Sequence, residues 1–281
     1  IYHNLGELYF DNDDFLKASC CFKNVLKIVP SYEKSIASLL YTSSLMCDFK
    51  TIEDHKHHLP ELGKKNTTIY PLHIAHLEDN PKNQLDRAIN LYKSKYNLNS
   101  KKIQYKKKKK INIGYFSADF NYHPVMNLIA RVFELHDKSK FNIFAYSFSD
   151  IEDEYTKRLK KSIFCYRNIK DLKDIEVVNL ARKDKLDIAI DLMGYTKGHR
   201  IEIFANRVAP VQINYLGFEA TTGLPQMDYL IADKYALPEE LKKYYSEQVI
   251  YKKHSYICFD DTKEIPKKIF RRSDLGLPED A

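Results

Sequence analysis

The sequence predicts an α/β protein in which helical hairpins precede a doubly wound lobe built on a parallel sheet. Three observations carry that prediction. The first 49 residues place apolar side chains at helical spacing around small residues and polar turns. From residue 111 onward, short runs rich in Ile, Val, Tyr and Phe alternate with stretches of helical periodicity. Those runs are almost continuously apolar, as strands are when helices cover both faces of a parallel sheet.

The elements follow in order. Residues 1–32 read as one helical hairpin, with Leu5, Gly6, Tyr9, Ala18, Phe22 and Pro30 at the offsets of the tetratricopeptide pattern. Gly6 and Ala18 are small where two helices would cross closely. The Asp11–Asp14 stretch supplies a polar turn and a cap for the second helix. Residues 31–49 begin a second pair. A unit this short cannot bury its own apolar face, so further repeats are expected before it. Residues 50–110 read as a helical linker region. His55, His57 and His58 crowd together without the spacing of metal ligands, so a solvated helix turn is expected. Residues 84–96 read as a helix with Leu85, Ile89, Leu91 and Tyr92 as its apolar face.

Residues 111–281 form the predicted lobe. Strands are expected at 111–117, 141–148, 163–168, 186–192, 211–216, 227–232 and 248–252. Helices are expected at 124–136, 153–162 and 172–184.

Composition narrows the function classes. The 281 residues are 44% hydrophobic and 30% charged, ordinary for a soluble globular protein. No apolar run approaches the ~18 residues a membrane helix needs, and the start lacks the pattern of a signal peptide. Five cysteines form no CxxC pair, which fits free thiols in a reducing, cytoplasmic setting. Much of the +7 net charge lies in the run from Lys106 to Lys110. No aromatic platforms interleave with it, so a solvated linker is expected there and not a nucleic-acid contact. The absence of an initial Met and the final GLPEDA suggest a fragment of a longer protein.

Ligands of open parallel sheets bind beyond the carboxyl ends of the strands. The first strand is followed there by Asp119, Asn121, Tyr122, His123 and Pro124. The fourth is followed by Gly194, Tyr195, Thr196, Lys197 and Gly198, and the fifth by Gly217, Thr221, Thr222 and Gly223. Lys253, His254 and Ser255 follow the last. Glycines in such places let backbone turn tightly or approach a ligand. No GxGxxG, GxxxxGK[ST] or HExxH is present, and no acidic pair has the form of a metal–nucleotide site. The constellation points to a polyhydroxy anionic ligand such as a sugar nucleotide, held without a metal or other cofactor.

The segments IGYFSADFNYHP, DLMGYTKG, VAPVQINYLGFEATTG, MDYLIAD and SDLGLPEDA, taken in this order and spacing, resemble the O-linked N-acetylglucosamine transferase family. Plant O-fucosyltransferase relatives share parts of the pattern. The resemblance covers essentially the whole chain. It implies a Rossmann-like N-terminal lobe of a two-lobed glycosyltransferase, preceded by the last helical repeats. The second lobe, which in that family holds most uridine diphosphate contacts, would follow residue 281.

The resemblance further implies inverting, metal-independent transfer of a sugar, N-acetylglucosamine first among the candidates, from a UDP-sugar to Ser or Thr of proteins gathered by the repeats. Asp119 and His123 match the family's Asp and His in DF-x-x-H-P, with Pro124 beside them. The His lies against the donor sugar and was once favoured as general base, and the Asp has been proposed to relay the proton. Tyr195, Thr196 and Lys197 match a GYTKG segment lining the acceptor or sugar side, and Leu216 and Gly217 match the LG that bounds the sugar pocket. Val125 departs from the hydroxyl found there in animal members, and Phe218–Thr221 departs from the expected YPGT; both bear on which sugar is used.

The residues also admit plainer readings. Asp119 could be only a turn or cap residue, Lys197 a solvated lysine, Tyr195 a core residue and His254 a structural one. His136 and His199 are expected at the surface. A different class of function also fits: a repeat-bearing interaction scaffold with a non-catalytic α/β domain.

Overall fold

The computed structural model describes residues 1–65, 67–96, 102–105, 107–263 and 270–278. The first two helices, α1 (Tyr2–Asp11) and α2 (Phe15–Ile28), form the expected hairpin. Asp13 makes the turn in the left-handed region, and the Asp14 carboxylate caps α2 by accepting from Lys17 N at 3.2 Å. Gly6 is required by the crossing: a Cβ there would lie 2.5 Å from the ring of the fully buried Phe22. The second pair is α3 (Glu33–Leu45) and α4 (Phe49–His55), so the paired helices run past residue 49. Asp48 caps α4 through Thr51.

The stretch between the helical pairs and the lobe is more than a spacer. After the short α5 (Leu72–Ala75), α6 spans Pro81–Leu91 and widens into a π-helical turn at Tyr92–Tyr96. Asn80 caps it and Pro81 takes its first position, which starts the helix three residues before the predicted boundary. The buried stripe of α6 is also rotated from the expected one. Asn83, Gln84, Arg87, Ala88 and Leu91 are buried, whereas Leu85 and Ile89 are half-buried. The reason is Arg87, wholly enclosed, which donates to the Leu62 and Leu59 carbonyls and pairs with Glu78 at 2.7 Å. Leu91, Tyr92 and Tyr96 join the core of the lobe beside Phe116, Tyr146 and Tyr195.

The lobe begins at β1 (Ile111–Ser117), followed by α7 (Pro124–Leu135), β2 (Phe141–Ser147), α8 (Glu154–Ser162), β3 (Cys165–Asn168) and α9 (Asp174–Lys183). Then come β4 (Ile188–Asp191), the short α10 (Glu202–Ala205), β5 (Val211–Asn214), β6 (Tyr229–Ala232) and β7 (Gln248–Tyr251). All six pairings are parallel and the order is β3-β2-β1-β4-β5-β6-β7. Ile113 and Tyr115 of β1 face Ile129, Phe133 and Leu159 of α7 and α8, while Phe116 faces Val177, Val178 and Phe204 of α9 and α10. That two-sided burial explains the unbroken apolar runs in the sequence. Of the lysine run, Lys106 lies outside the described residues; Lys108 Nζ reaches the buried Asp187 carboxylate at 2.9 Å. Among the described residues, no helix is long and apolar enough to cross a membrane.

Candidate active site

The strand order reverses between β1 and β4. In open parallel sheets a switch point of this kind is where chain leaving neighbouring strands diverges and where ligands bind. The two segments with the most chemistry, 118–124 after β1 and 192–198 after β4, flank it. They meet closely: a Cβ on Gly198 would lie 4.0 Å from the Cβ of Ala118.

The first wall is anchored from below. Phe120 is buried in the core, and its carbonyl accepts from Thr156 Oγ1 at 2.7 Å. The Asp153 carboxylate caps α8 and also accepts from Tyr122 N. His123 is extended, as a residue before proline must be, and Pro124 opens α7. This leaves Asp119 and His123 side by side, with Oδ2 and Nδ1 3.5 Å apart. The Asp119 side chain is 20% exposed and the His123 side chain 40%. Burial raises the Asp119 carboxyl above its ordinary range, and the neighbouring imidazole pulls it back. His123 Nδ1 also accepts from Val125 N at 3.3 Å.

Those two contacts of Nδ1 exclude each other chemically. With Nδ1 accepting from Val125, the neutral ring carries its proton on Nε2. With Nδ1–H directed at Asp119, Nε2 is free to take a proton. The second arrangement is the one a general base needs, with the carboxylate orienting the ring and stabilising the imidazolium.

The second wall is the loop after β4. The Asp191 carboxylate accepts from Met193 N at 2.9 Å and Gly194 N at 3.1 Å. Its side chain is fully enclosed, and burial pushes its carboxyl up to about 7 against the pull of those two N–H groups. Thr196 turns inward, its N and Oγ1 both donating to the Met193 carbonyl. Tyr195 is 3% exposed, lies in the core, and donates its hydroxyl to the Thr222 carbonyl at 2.7 Å. Lys197 is exposed and stands 3.5 Å from Asp13 in the first helical hairpin.

The third wall follows β5. Leu216 is buried at φ 72°, and Gly217 N donates back to the Tyr215 carbonyl at 2.9 Å, a tight three-residue turn. A bulky side chain at positive φ stores strain of the kind that clusters at functional sites. Gly217 is dictated by closeness, since a Cβ would fall 1.8 Å from the Leu192 carbonyl oxygen.

The structure therefore brings Asp119, His123 and Pro124 together on one side, and Thr196, Leu216 and Gly217 on the other. Tyr195 points into the core and Lys197 toward the turn of the first helical hairpin. His136 and His199, expected at the surface, are only partly exposed. His136 Nε2 meets the Tyr115 hydroxyl at 2.9 Å, and His199 packs against Tyr70 and Tyr195, where burial lowers its pKa to about 4. Ser117, at the end of the first predicted strand, and Asp191 and Met193, in the segment DLMGYTKG, were given no role by sequence reasoning. For Asp191 there was a further signal, a carboxylate ending the apolar run IAID.

A profile of glycosyl transferase family 41 matches residues 49–274. The chain belongs to glycosyl transferase family 41. It is 35% identical over 178 residues to the Arabidopsis thaliana probable UDP-N-acetylglucosamine–peptide N-acetylglucosaminyltransferase SEC, covering 61% of this chain and 18% of that protein. It is 34% identical over 157 residues to the Caenorhabditis elegans UDP-N-acetylglucosamine–peptide N-acetylglucosaminyltransferase, covering 54% and 13%. A solved lysine-to-methionine mutant of the Thermobaculum terrenum O-GlcNAc transferase superposes with TM-score 0.69 at 22% identity, over 91% of this chain and 51% of that one. At that identity the likeness speaks to the fold alone. This family 41 chain spans less than a fifth of the two curated relatives and about half of the solved structure.

Proposed function

We propose that this family 41 chain supplies the acceptor-activating wall of a UDP-sugar-dependent protein O-glycosyltransferase. The donor sugar is N-acetylglucosamine, the acceptor a Ser or Thr hydroxyl, and the transfer inverting and metal-independent. The single observation that supports this most is the Asp119–His123 pair, half-exposed at the switch point where sheet topology opens a crevice.

In this reading the acceptor Oγ–H gives its proton to His123 Nε2 or, through water, to Asp119, as Oγ attacks the anomeric carbon. The bond from that carbon to the diphosphate breaks and UDP leaves with the electron pair. Thr196, Leu216 and Gly217 shape the sugar side, and in-line geometry comes from walls held rigidly by Asp153 and Asp191. The acceptor polypeptide approaches along the repeats. A cavity of about 320 Å³ there is lined by His3, Glu7, Lys34, Tyr70, His73 and Lys95, joining the helical hairpins to the stretch that touches Tyr195 and His199.

The test is label transfer from UDP-N-acetylglucosamine to lysate protein by the full protein that carries this chain. His123→Ala is expected to lower kcat/KM by about 10²–10⁴-fold with the fold retained, the range for loss of a general base. Unchanged transfer removes His123 from the mechanism. One observation favours a second reading, a repeat scaffold with a non-catalytic lobe: His123 Nδ1 already serves as the cap of α7. That reading predicts no transfer by the wild type and a stability loss in His123→Ala.

A further inference from the structure

Asp191 is a fully enclosed carboxyl group with no cation against it among the described residues. Burying such a group without a counter-charge is unfavourable, and a stable strand end does not call for it. Both its oxygens are spent on one object, the loop that begins two residues later: Oδ1 on Met193 N and Oδ2 on Gly194 N.

What Met193 does next gives the arrangement its meaning. Its carbonyl accepts from Thr196 N at 3.1 Å and Thr196 Oγ1 at 2.8 Å, which folds the 194–198 loop inward. Its thioether sulfur faces the other way and accepts from Ser117 Oγ and Ala118 N, each at 3.4 Å. Ser117 Oγ in turn accepts from Asp119 N at 2.9 Å. The backbone around Asp191 is independently pinned: its carbonyl accepts from Tyr215 N, and Leu192 N donates to Phe116 O. One carboxylate thus sets Met193, and Met193 touches both walls of the crevice.

We infer that Asp191 is a positioning residue. Acting through Met193, it fixes the separation between the Asp119–His123 pair and the Thr196 loop. It touches no reacting atom itself. The consequence for catalysis rests on the glycosyltransferase reading above; the mechanical link does not. Displacing a catalytic wall by about an ångström lowers a reaction rate on the order of 10²-fold.

The experiment uses the full protein that carries this chain, with Asp191→Ala, Asp191→Asn and Met193→Leu. Asp191→Ala is expected to lower kcat about 100-fold while the KM for UDP-N-acetylglucosamine changes less than about threefold. Asp191→Asn keeps an acceptor for Met193 N and recovers most of that loss. Hydrogen exchange supplies the readout independent of activity. Asp191→Ala accelerates amide exchange in both 118–123 and 193–196 and leaves β7 unchanged. Met193→Leu, which keeps the volume and loses the sulfur acceptor, accelerates 118–123 alone. Exchange at 118–123 that stays at the wild-type rate in both variants overturns the link, whatever happens to transfer. Altered exchange with undiminished kcat overturns the positioning role. A wild-type protein that transfers no sugar removes the functional reading, and the exchange data still decide the link.

Discussion

Replacing Gly217 by Ala tests the tightest contact in the candidate site. The added Cβ would sit 1.8 Å from Leu192 O and 2.8 Å from Leu192 C, about 1.6 Å inside the 3.4 Å at which ordinary contact begins. The opposing atoms are backbone at the end of β4, so no side chain can rotate away. Relief requires the 215–218 turn to lift from the strand end, and that turn already holds Leu216 at φ 72°. Overpacking of this kind costs roughly 1–3 kcal/mol when side chains can yield, and backbone puts this site at the upper end. For a lobe of this size that corresponds to a drop in Tm of about 6–12 °C. Because the turn bounds the proposed sugar pocket, a displacement near 1 Å also lowers kcat on the order of 10²-fold. Circular dichroism melting and label transfer measure the two effects separately. A variant that melts within about a degree of wild type and transfers at the same rate refutes the argument, since it would mean the turn moves freely.

Three further outcomes follow from the same geometry. Arg87→Met leaves Glu78 and the Leu59 and Leu62 carbonyls without their cation, a loss of about 3–5 kcal/mol by denaturant titration, of which Glu78→Gln in the same chain restores part; a loss under about 1 kcal/mol contradicts the reading of Arg87 as an internal clamp. Tyr195→Phe removes the bond to the Thr222 carbonyl and costs about 1–2 kcal/mol with transfer unchanged, whereas a tenfold fall in transfer at native stability would make that hydroxyl a substrate contact. Asp191, held at about 7 in the fold against an ordinary carboxyl value near ~3.9 once unfolded, keeps its proton longer in the native state; its contribution therefore lowers stability as pH rises from about 4 to 7 and is flat above, and Asp191→Asn should remove that slope in denaturant midpoints. Equal slopes in the two proteins would show that Asp191 titrates normally.

The predicted strands all exist, most of them shorter at the ends than the apolar runs suggested. Those runs extend beyond the paired residues because flanking side chains such as Leu186, Leu192 and Leu216 are buried without belonging to the ladder. Helix α6 shows the opposite failure. Its buried stripe contains Asn83, Gln84 and Arg87, residues that periodicity assigns to solvent, because the Leu59 and Leu62 carbonyls that Arg87 meets lie 28 and 25 residues away in sequence.

Pattern alone determined the class of this protein: paired helices from small residues at crossings, strands from unbroken apolar runs, and strand-end loops carrying Asp119, His123, Thr196 and Gly217. These are local properties, set by spacing and by the conformations each residue type permits. Only the tertiary structure decided which strand ends are neighbours. The reversal of strand order between β1 and β4 puts Ala118 against Gly198 and makes the loops after those strands two sides of one crevice. The same reversal brings the Met193 sulfur onto Ser117 and gives Asp191 its reach, while it leaves Tyr195 facing the core. Sequence separations of about 75 residues carry no local signal of such contacts, since what closes them is the burial of two sheet faces.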